Sequence, residues 1–327
     1  MNRKNNIQRR TVLAAGASAL LPLQANAQAA WPNRPIRLIV PFAPGGSNDI
    51  LSRVLGAKLS TRLGQTVVIE HKAGGGGTLG TEFVAKSAPD GYTLLFASTS
   101  VTTNAASGKK LPYDLLKDLQ PIGLMAATPF TVVVGNDVKA NNLNEFIALA
   151  RAKPKSVNYG TAGIGGINHL GTELMSSAAK IEMTHIPYKG IGPAFTDLMG
   201  GSLQMTLPTL ASVLPQLRGG KMRALAVTSA QRSPLAPEIP TASEAGLAGF
   251  RLEAWFGLLG PANMPPAVLK RLNEELNWTL TQPDMKEALT REAAATMPGT
   301  PEEFASLLRA EVARWTKLIS EKNIQID

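Results

Sequence analysis

The stretch Ile36-Arg37-Leu38-Ile39-Val40-Pro41-Phe42-Ala43-Pro44-Gly45-Gly46-Ser47-Asn48-Asp49 decides the reading of the fold. Its first five residues form a short apolar run rich in β-branched side chains, the composition of a strand. A Pro- and Gly-rich turn follows. Over residues 49–63, Ile50, Leu51, Val54, Leu55, Leu59 and Leu63 fall on one side and Arg53, Lys58 and Arg62 on the other. That is helical spacing. The unit is strand, glycine loop, helix.

The same unit recurs along the chain. Residues 66–70 read as a second strand and 79–86 as a second helix. Residues 92–97 read as a third strand after the turn Pro89-Asp90-Gly91. In the middle of the chain, residues 157–159 lead through a second glycine loop into a helix over 169–178. Residues 183–187 lead into a helix over 193–199, and 203–207 and 224–228 are further strands. Such alternation favours α/β architecture with mainly parallel sheets flanked by helices. Two apolar strands, 130–134 and 252–259, bracket the middle block and read as crossings between two lobes. One lobe then comprises residues 31–133 plus 253–327, the other 134–252. Two crossings make a hinge, and a hinge implies a cleft that closes on a ligand.

Composition narrows the function. With 327 residues, 44% of them hydrophobic, the chain suits two domains with ordinary cores. The absence of Cys removes disulfides, thiol nucleophiles and cysteine–zinc sites, and three His (His71, His169, His185) leave little for a histidine-rich metal site. No metal or cofactor is expected. Arg3, Lys4, Arg9 and Arg10 precede an apolar run over residues 12–23 and the small-residue pattern Ala25-Asn26-Ala27. This order reads as a secretory signal over residues 1–27, cleaved near Ala27, rather than an anchor, because a bilayer needs about 20 apolar residues. Arg9-Arg10-Thr11-Val12-Leu13 also matches a twin-arginine signal loosely, so either export route stays open. Removing the four basic residues of the leader from the net charge of +9 leaves +5. The Lys and Arg are scattered, without the dense basic tract of a nucleic-acid binder.

The second glycine loop is Thr161-Ala162-Gly163-Ile164-Gly165-Gly166-Ile167-Asn168-His169. A helix start exposes unpaired N–H groups and partial positive charge, so it accepts a carboxylate without Lys or Arg. Neither loop holds a basic side chain. The plain alternative is that glycine merely permits the bend. Asp49 suits the first turn of its helix and also offers an acceptor to a ligand. His169 reads as a ligand-orienting or local hydrogen-bonding residue, and His71 and His185 as structural residues at strand ends.

One pattern points toward an enzyme. Gly75-Gly76-Gly77-Thr78-Leu79-Gly80 satisfies G-x-G-x-x-G after a strand and before a helix. The acid that should end the next strand is missing, since that strand runs into Ala97-Ser98-Thr99-Ser100. No G-x-S-x-G elbow is present. The chain is read as a non-enzyme, with a nicotinamide oxidoreductase as the weakest alternative.

The residues then reach a resemblance. Trp31-Pro32-Asn33-Arg34-Pro35-Ile36 and Val40-Pro41-Phe42-Ala43-Pro44-Gly45-Gly46 with Asp49 come first. Ala88-Pro89-Asp90-Gly91-Tyr92-Thr93-Leu94, Leu111-Pro112-Tyr113-Asp114 and His185-Ile186-Pro187-Tyr188-Lys189-Gly190 follow. Gly220-Lys221-Met222-Arg223-Ala224-Leu225-Ala226-Val227, Trp255-Phe256-Gly257 and Pro301-Glu302-Glu303-Phe304 complete the set. Together they resemble the Bug-type solute-binding proteins of tripartite tricarboxylate transporters. The resemblance implies a two-lobe periplasmic binding protein fold, type II-like. It implies capture of a di-, tri- or aromatic carboxylate by Phe42, Ala43, Gly45, Gly46, Ser47, Asn48 and Asp49 together with Thr161, Ala162, Gly163, Gly165, Gly166 and His169. Hydroxyls at Ser98 and Ser100 join the cleft. The implied partners are the ligand and, transiently, the membrane subunits of the transporter, with the receptor itself a monomer. A sensory receptor that hands its closed form to a signalling protein is the alternative. Phe42, Phe130, Tyr188 and Trp255 are candidates for facing an aromatic ligand or for the core. Gln204 stands where many relatives carry an acid, which leaves the ligand open.

Overall fold

The computed structural model describes residues 31–42, 44, 47–188 and 191–324; the leader expected over residues 1–27 lies outside them. Along the chain the elements begin with β1 (Ile36–Val40), α1 (Ser47–Leu63), β2 (Val67–His71), α2 (Thr78–Ala85), β3 (Thr93–Ser98), α3 (Ser100–Ala106), α4 (Leu115–Asp118), β4 (Leu119–Pro129) and β5 (Thr131–Val134). They continue with α5 (Leu143–Ala152), β6 (Asn158–Thr161), α6 (Ile167–Ala179), β7 (Thr184–Pro187), α7 (Ile191–Met199), β8 (Met205–Thr206), α8 (Leu210–Arg218) and β9 (Arg223–Val227). The last are β10 (Glu253–Pro261), α9 (Pro266–Thr279), α10 (Pro283–Arg291), β11 (Ala295–Thr296) and α11 (Pro301–Glu321).

The strands form two sheets, one in the order β11-β4-β10-β3-β1-β2 and one in the order β7-β6-β8-β5-β9. Both are mixed, which corrects the expectation of mainly parallel sheets. β1 pairs in parallel with β2 and β3, and β6 with β7 and β8, while β10 and β5 run against both of their neighbours. The reason is directional. β4 ends where β5 begins, and β10 starts at that same junction, so a strand entering either sheet there must run against the strands that end there. Accordingly Phe256 near the start of β10 lies opposite Ser98 at the end of β3. Thr131 at the start of β5 lies opposite Val227 at the end of β9. The carboxyl ends of β1, β2 and β3 in one sheet, and of β6 and β8 in the other, therefore line the two edges that meet at the junction. Such edges are where open α/β sheets place their ligands.

Local sequence explains the packing that fixes these edges. Leu51, Leu55, Leu59 and Leu63 form the buried stripe of α1, with Ser52 and Gly56 beneath them. Ile50, expected on that face, is 43% exposed. The helix is held from outside the stripe by a buried acid on α9. Glu275 accepts from Arg62 at 2.6 Å and from Arg271 at 2.9 Å. The second sheet builds its core from Phe130, Val132, Val134, Phe146, Tyr159, Leu170 and Leu207, joined by Trp315 and Leu318 of α11 and Ala106 of α3. The carboxy-terminal helix thus packs against β4 of the first sheet and completes the core of the second.

Three backbone segments meet at the junction. Thr228 N–H donates to Phe130 O at 2.9 Å, and Leu252 N–H donates to Thr228 O at 3.0 Å. The fully buried Thr228 hydroxyl accepts from Phe130 N–H at 2.9 Å and donates to Leu252 O. Replacing that hydroxyl by a methyl leaves a buried donor unsatisfied, which costs about 1–3 kcal/mol. Thr228→Val should lower unfolding stability by that amount in urea titrations. A change below about 0.5 kcal/mol, the range of neutral surface substitutions, would mean the hydroxyl is not needed there.

Candidate functional site

On the first sheet the site is built at the ends of β1, β2 and β3. Pro41 is buried and Phe42 half-buried; Ala43, Gly45 and Gly46 lie outside the described residues. α1 then opens with Ser47, whose hydroxyl donates to the carboxylate of Glu292 just after α10. Asn48 Oδ1 is buried with no hydrogen-bond partner among the described residues. Asp49, expected as a possible ligand acceptor, is buried, and its carboxylate takes His71 Nε2 and Arg53 Nε, each at 2.8 Å. His71 ends β2 as anticipated and ties that strand to the first turn of α1.

The glycine run beside it is packed by protein. Gly74 to Gly77 all adopt positive φ, from 56° to 147°. Asn104 Nδ2 donates to Gly76 O at 3.0 Å. A Cβ on Gly80 would lie 2.9 Å from both Pro41 Cα and Lys72 O, so only glycine lets α2 approach this closely. A Cβ on Gly77 would meet the Phe42 ring at 3.3 Å and Ser100 Oγ at 3.6 Å. Ser98 Oγ lies 3.1 Å from Ser100 Oγ. The structure therefore gathers Phe42, Ser98 and Ser100 around the run, and β3 ends without the acid that a dinucleotide site requires.

On the second sheet, β6 ends at Thr161 and α6 begins at Ile167 after Gly166, which provides no side-chain cap. The first N–H groups of α6 are thus free of a capping side chain. The loop itself is fixed. Thr161 Oγ1 donates to Gly163 O at 3.1 Å and pairs with His185 Nε2 at 2.6 Å. Gly165, at φ 75°, donates its N–H to His169 Nδ1 at 3.1 Å. Accepting at Nδ1 places the proton of the neutral His169 on Nε2. Behind the loop the His169 and His185 rings stack at 3.9 Å and 11°, and Tyr159 stacks on His185 at 5.0 Å. Tyr159 OH donates to Glu173 at 2.5 Å. Ala162 and Ile164 are exposed.

His185 lies inside β7, in register with Tyr159, rather than at a strand end. Sequence reasoning gave it no part in the loop, because its contact with His169 depends on the β6–β7 register. Glu292 was missed for the same reason: nothing local links residue 292 to residue 47. Phe130 and Trp255 belong to the core, with Trp255 edge-on to Phe304 at 5.3 Å. Tyr188 donates to Asp197 at 2.6 Å. Gln204 accepts from Asn158 N–H at 2.9 Å and donates to Gly201 O, which makes it a brace for β6. Among the described residues no three His, Cys, Asp or Glu side chains gather as a metal site, and no helix is long and apolar enough to cross a membrane.

The chemistry available is that of hydrogen-bond donors around two facing edges. One helix end is worth about 0.3–1 kcal/mol in water and about 2 when sheltered, whereas micromolar affinity needs about 8 kcal/mol. Several N–H and hydroxyl bonds, desolvated together, are required. The histidine stack adds a pH dependence. Burial holds His169 and His185 down to about 4, with the charge of His169 adding to the effect on His185. Their unfolded pKa is about 6.5, so from there down toward 4 the unfolded chain binds more protons and stability falls with pH. The contribution is whole above about pH 6.5. Between pH 6.5 and 5, above the carboxylate range, His185→Phe should flatten the slope of stability against pH by up to about 1.4 kcal/mol per unit, the value of one proton. Denaturant titrations at several pH values check this; an unchanged slope would show that His185 is not held neutral.

A family model for the tripartite tricarboxylate transporter family receptor matches residues 51–324. The chain is 35% identical over 317 residues to protein BugT of Bordetella pertussis, covering 96% of each. It is similar to an R. palustris protein solved with adipate, at a TM-score of 0.77 and 32% identity over 90% of this chain and 99% of that one. It is also similar to MatC of Rhodopseudomonas palustris with bound malate, at a TM-score of 0.74 and 32% identity over 88% and 100%. The fold shared with such structures is that of two-lobe periplasmic binding proteins. The chain belongs to the tripartite tricarboxylate transporter receptor family, whose members are periplasmic solute-binding proteins.

Proposed function

We propose that the protein captures a small carboxylate between the edge formed by Phe42, Ser47, Asn48, Ser98 and Ser100 and the edge formed by Thr161, Gly163, Gly165, Gly166 and His169. The observation that carries this reading is the second loop. Its backbone is pinned by Thr161 and His169 around an uncapped helix start, so donors are already aimed before any anion arrives. Prearranged donors need no reorganisation on binding. The adipate and malate bound by two relatives support the acid class. The lobes of this reading are residues 31–130 plus 253–327 and residues 131–252, the first boundary moved back from the expected residue 133 because β5 pairs within the five-stranded sheet. Their support is that the six-stranded sheet takes every strand from outside residues 131–227, and the five-stranded sheet every strand from inside. The reading includes export by the segment over residues 1–27 and delivery of the ligand to membrane subunits of a transporter, and assigns the protein no reaction.

A panel of mono-, di-, tri- and aromatic carboxylates tests it by thermal shift. A ligand at a hundred times its Kd stabilises by about 2.7 kcal/mol. Gly165→Pro removes the N–H that meets His169 and forces φ away from 75°. It should weaken binding of any acid in the panel by about a hundredfold, near 2.7 kcal/mol, while the far-ultraviolet circular dichroism stays native. Unchanged affinity in this variant would remove the second loop from the site.

A further inference from the structure

The two edges of the site differ in charge. Beside the second loop, Glu173 is bound to Tyr159 and Asp197 to Tyr188. At the head of α1 a carboxylate already stands in place: Glu292 accepts the Ser47 hydroxyl. Three further bonds hold it there. Its N–H donates to Ala288 O at 3.3 Å and its carbonyl accepts Thr128 Oγ1 at 3.0 Å. The next residue, Ala293, closes the end of α10 at φ 51° and donates to Thr290 O at 2.9 Å. Asp49, two residues after Ser47, is paired with Arg53 and bonded to His71. Glu292 forms no ion pair among the described residues. A half-buried carboxylate with no ion-pair partner among the described residues therefore sits at the head of α1, on the edge assigned to the site.

We propose that Glu292 selects the ligand by charge: the guest presents one carboxylate to the second loop and a neutral or cationic hydrogen-bond donor to the head of α1. A second carboxylate there would face Glu292 across Ser47, and like charges at close quarters oppose binding strongly. A hydroxyl or ammonium would find the acceptor lone pairs of Glu292 and the unpartnered Asn48 Oδ1. The inference rests on the carboxylate reading of the site and narrows it. The acceptable class is hydroxy, amino or aromatic monocarboxylates rather than di- and tricarboxylates.

The test uses matched acids that differ only at the far end: 6-hydroxyhexanoate and 6-aminohexanoate against adipate, and 4-hydroxybenzoate against terephthalate. Affinities are measured by calorimetry for the native protein, Glu292→Gln and Gly165→Pro. The native protein should prefer the monocarboxylate of each pair by about tenfold or more, and Glu292→Gln should erase or reverse that ratio. A purely structural tie between α10 and α1 would lower all affinities together and leave the ratio intact. A native ratio near one, or a ratio unmoved by Glu292→Gln, overturns the charge filter while leaving the carboxylate reading in place if Gly165→Pro still weakens binding about a hundredfold. If no acid of either kind binds the native protein, the carboxylate reading falls and this inference with it.

Discussion

The hydrogen bonds among Phe130, Thr228 and Leu252 decide the architecture. They bring three passages of chain to one point, and strand direction on both sides follows from that meeting. Strands that enter a sheet at the junction run against those that end there. The parallel strands β1, β3 and β6 are thereby obliged to deliver their carboxyl ends, and the loops after them, to the same region. Placement of the glycine loops is a result of topology before it is a result of any loop contact.

Within that frame the two loops solve the same problem by different means. The second is held by side chains from its own lobe, with Thr161 and His169 gripping backbone on either side of Ile164. The stacked His169 and His185 are kept neutral by burial, with His169 adding to the effect on His185, so rigidity is obtained without placing positive charge at the site. The first is surrounded by commitments: Asp49 to Arg53 and His71, Ser47 to Glu292, Gly80 to Pro41. An anion approaching the pair meets one edge made of donors and another that already contains an acid.

Much of this was legible in the residues. The leucine stripe of α1, the strands at 36–40 and 93–98, and the second glycine loop carry local periodicity or turn chemistry, and local signals survive into the fold. Helix α1 nevertheless turned Ile50 outward, because the stripe that matters is set by what β2 and α9 present to it. The long strand β4 was not legible. Gln120, Pro121 and Gly123 interrupt its pattern, and it is stabilised by pairing with β10 more than a hundred residues away. His185 and Glu292 were hidden for the same kind of reason. Each acts through a partner brought close by register or by helix packing, and spacing along the chain holds no trace of such a partner.

The placement of α11 bears on how the molecule is made. The second lobe has all of its strands by residue 227, yet Trp315 and Leu318 fill part of its interior. Until the final turns of the polypeptide emerge, that interior has an open hole. The second lobe therefore acquires its full packing only once the carboxy-terminal helix is in place.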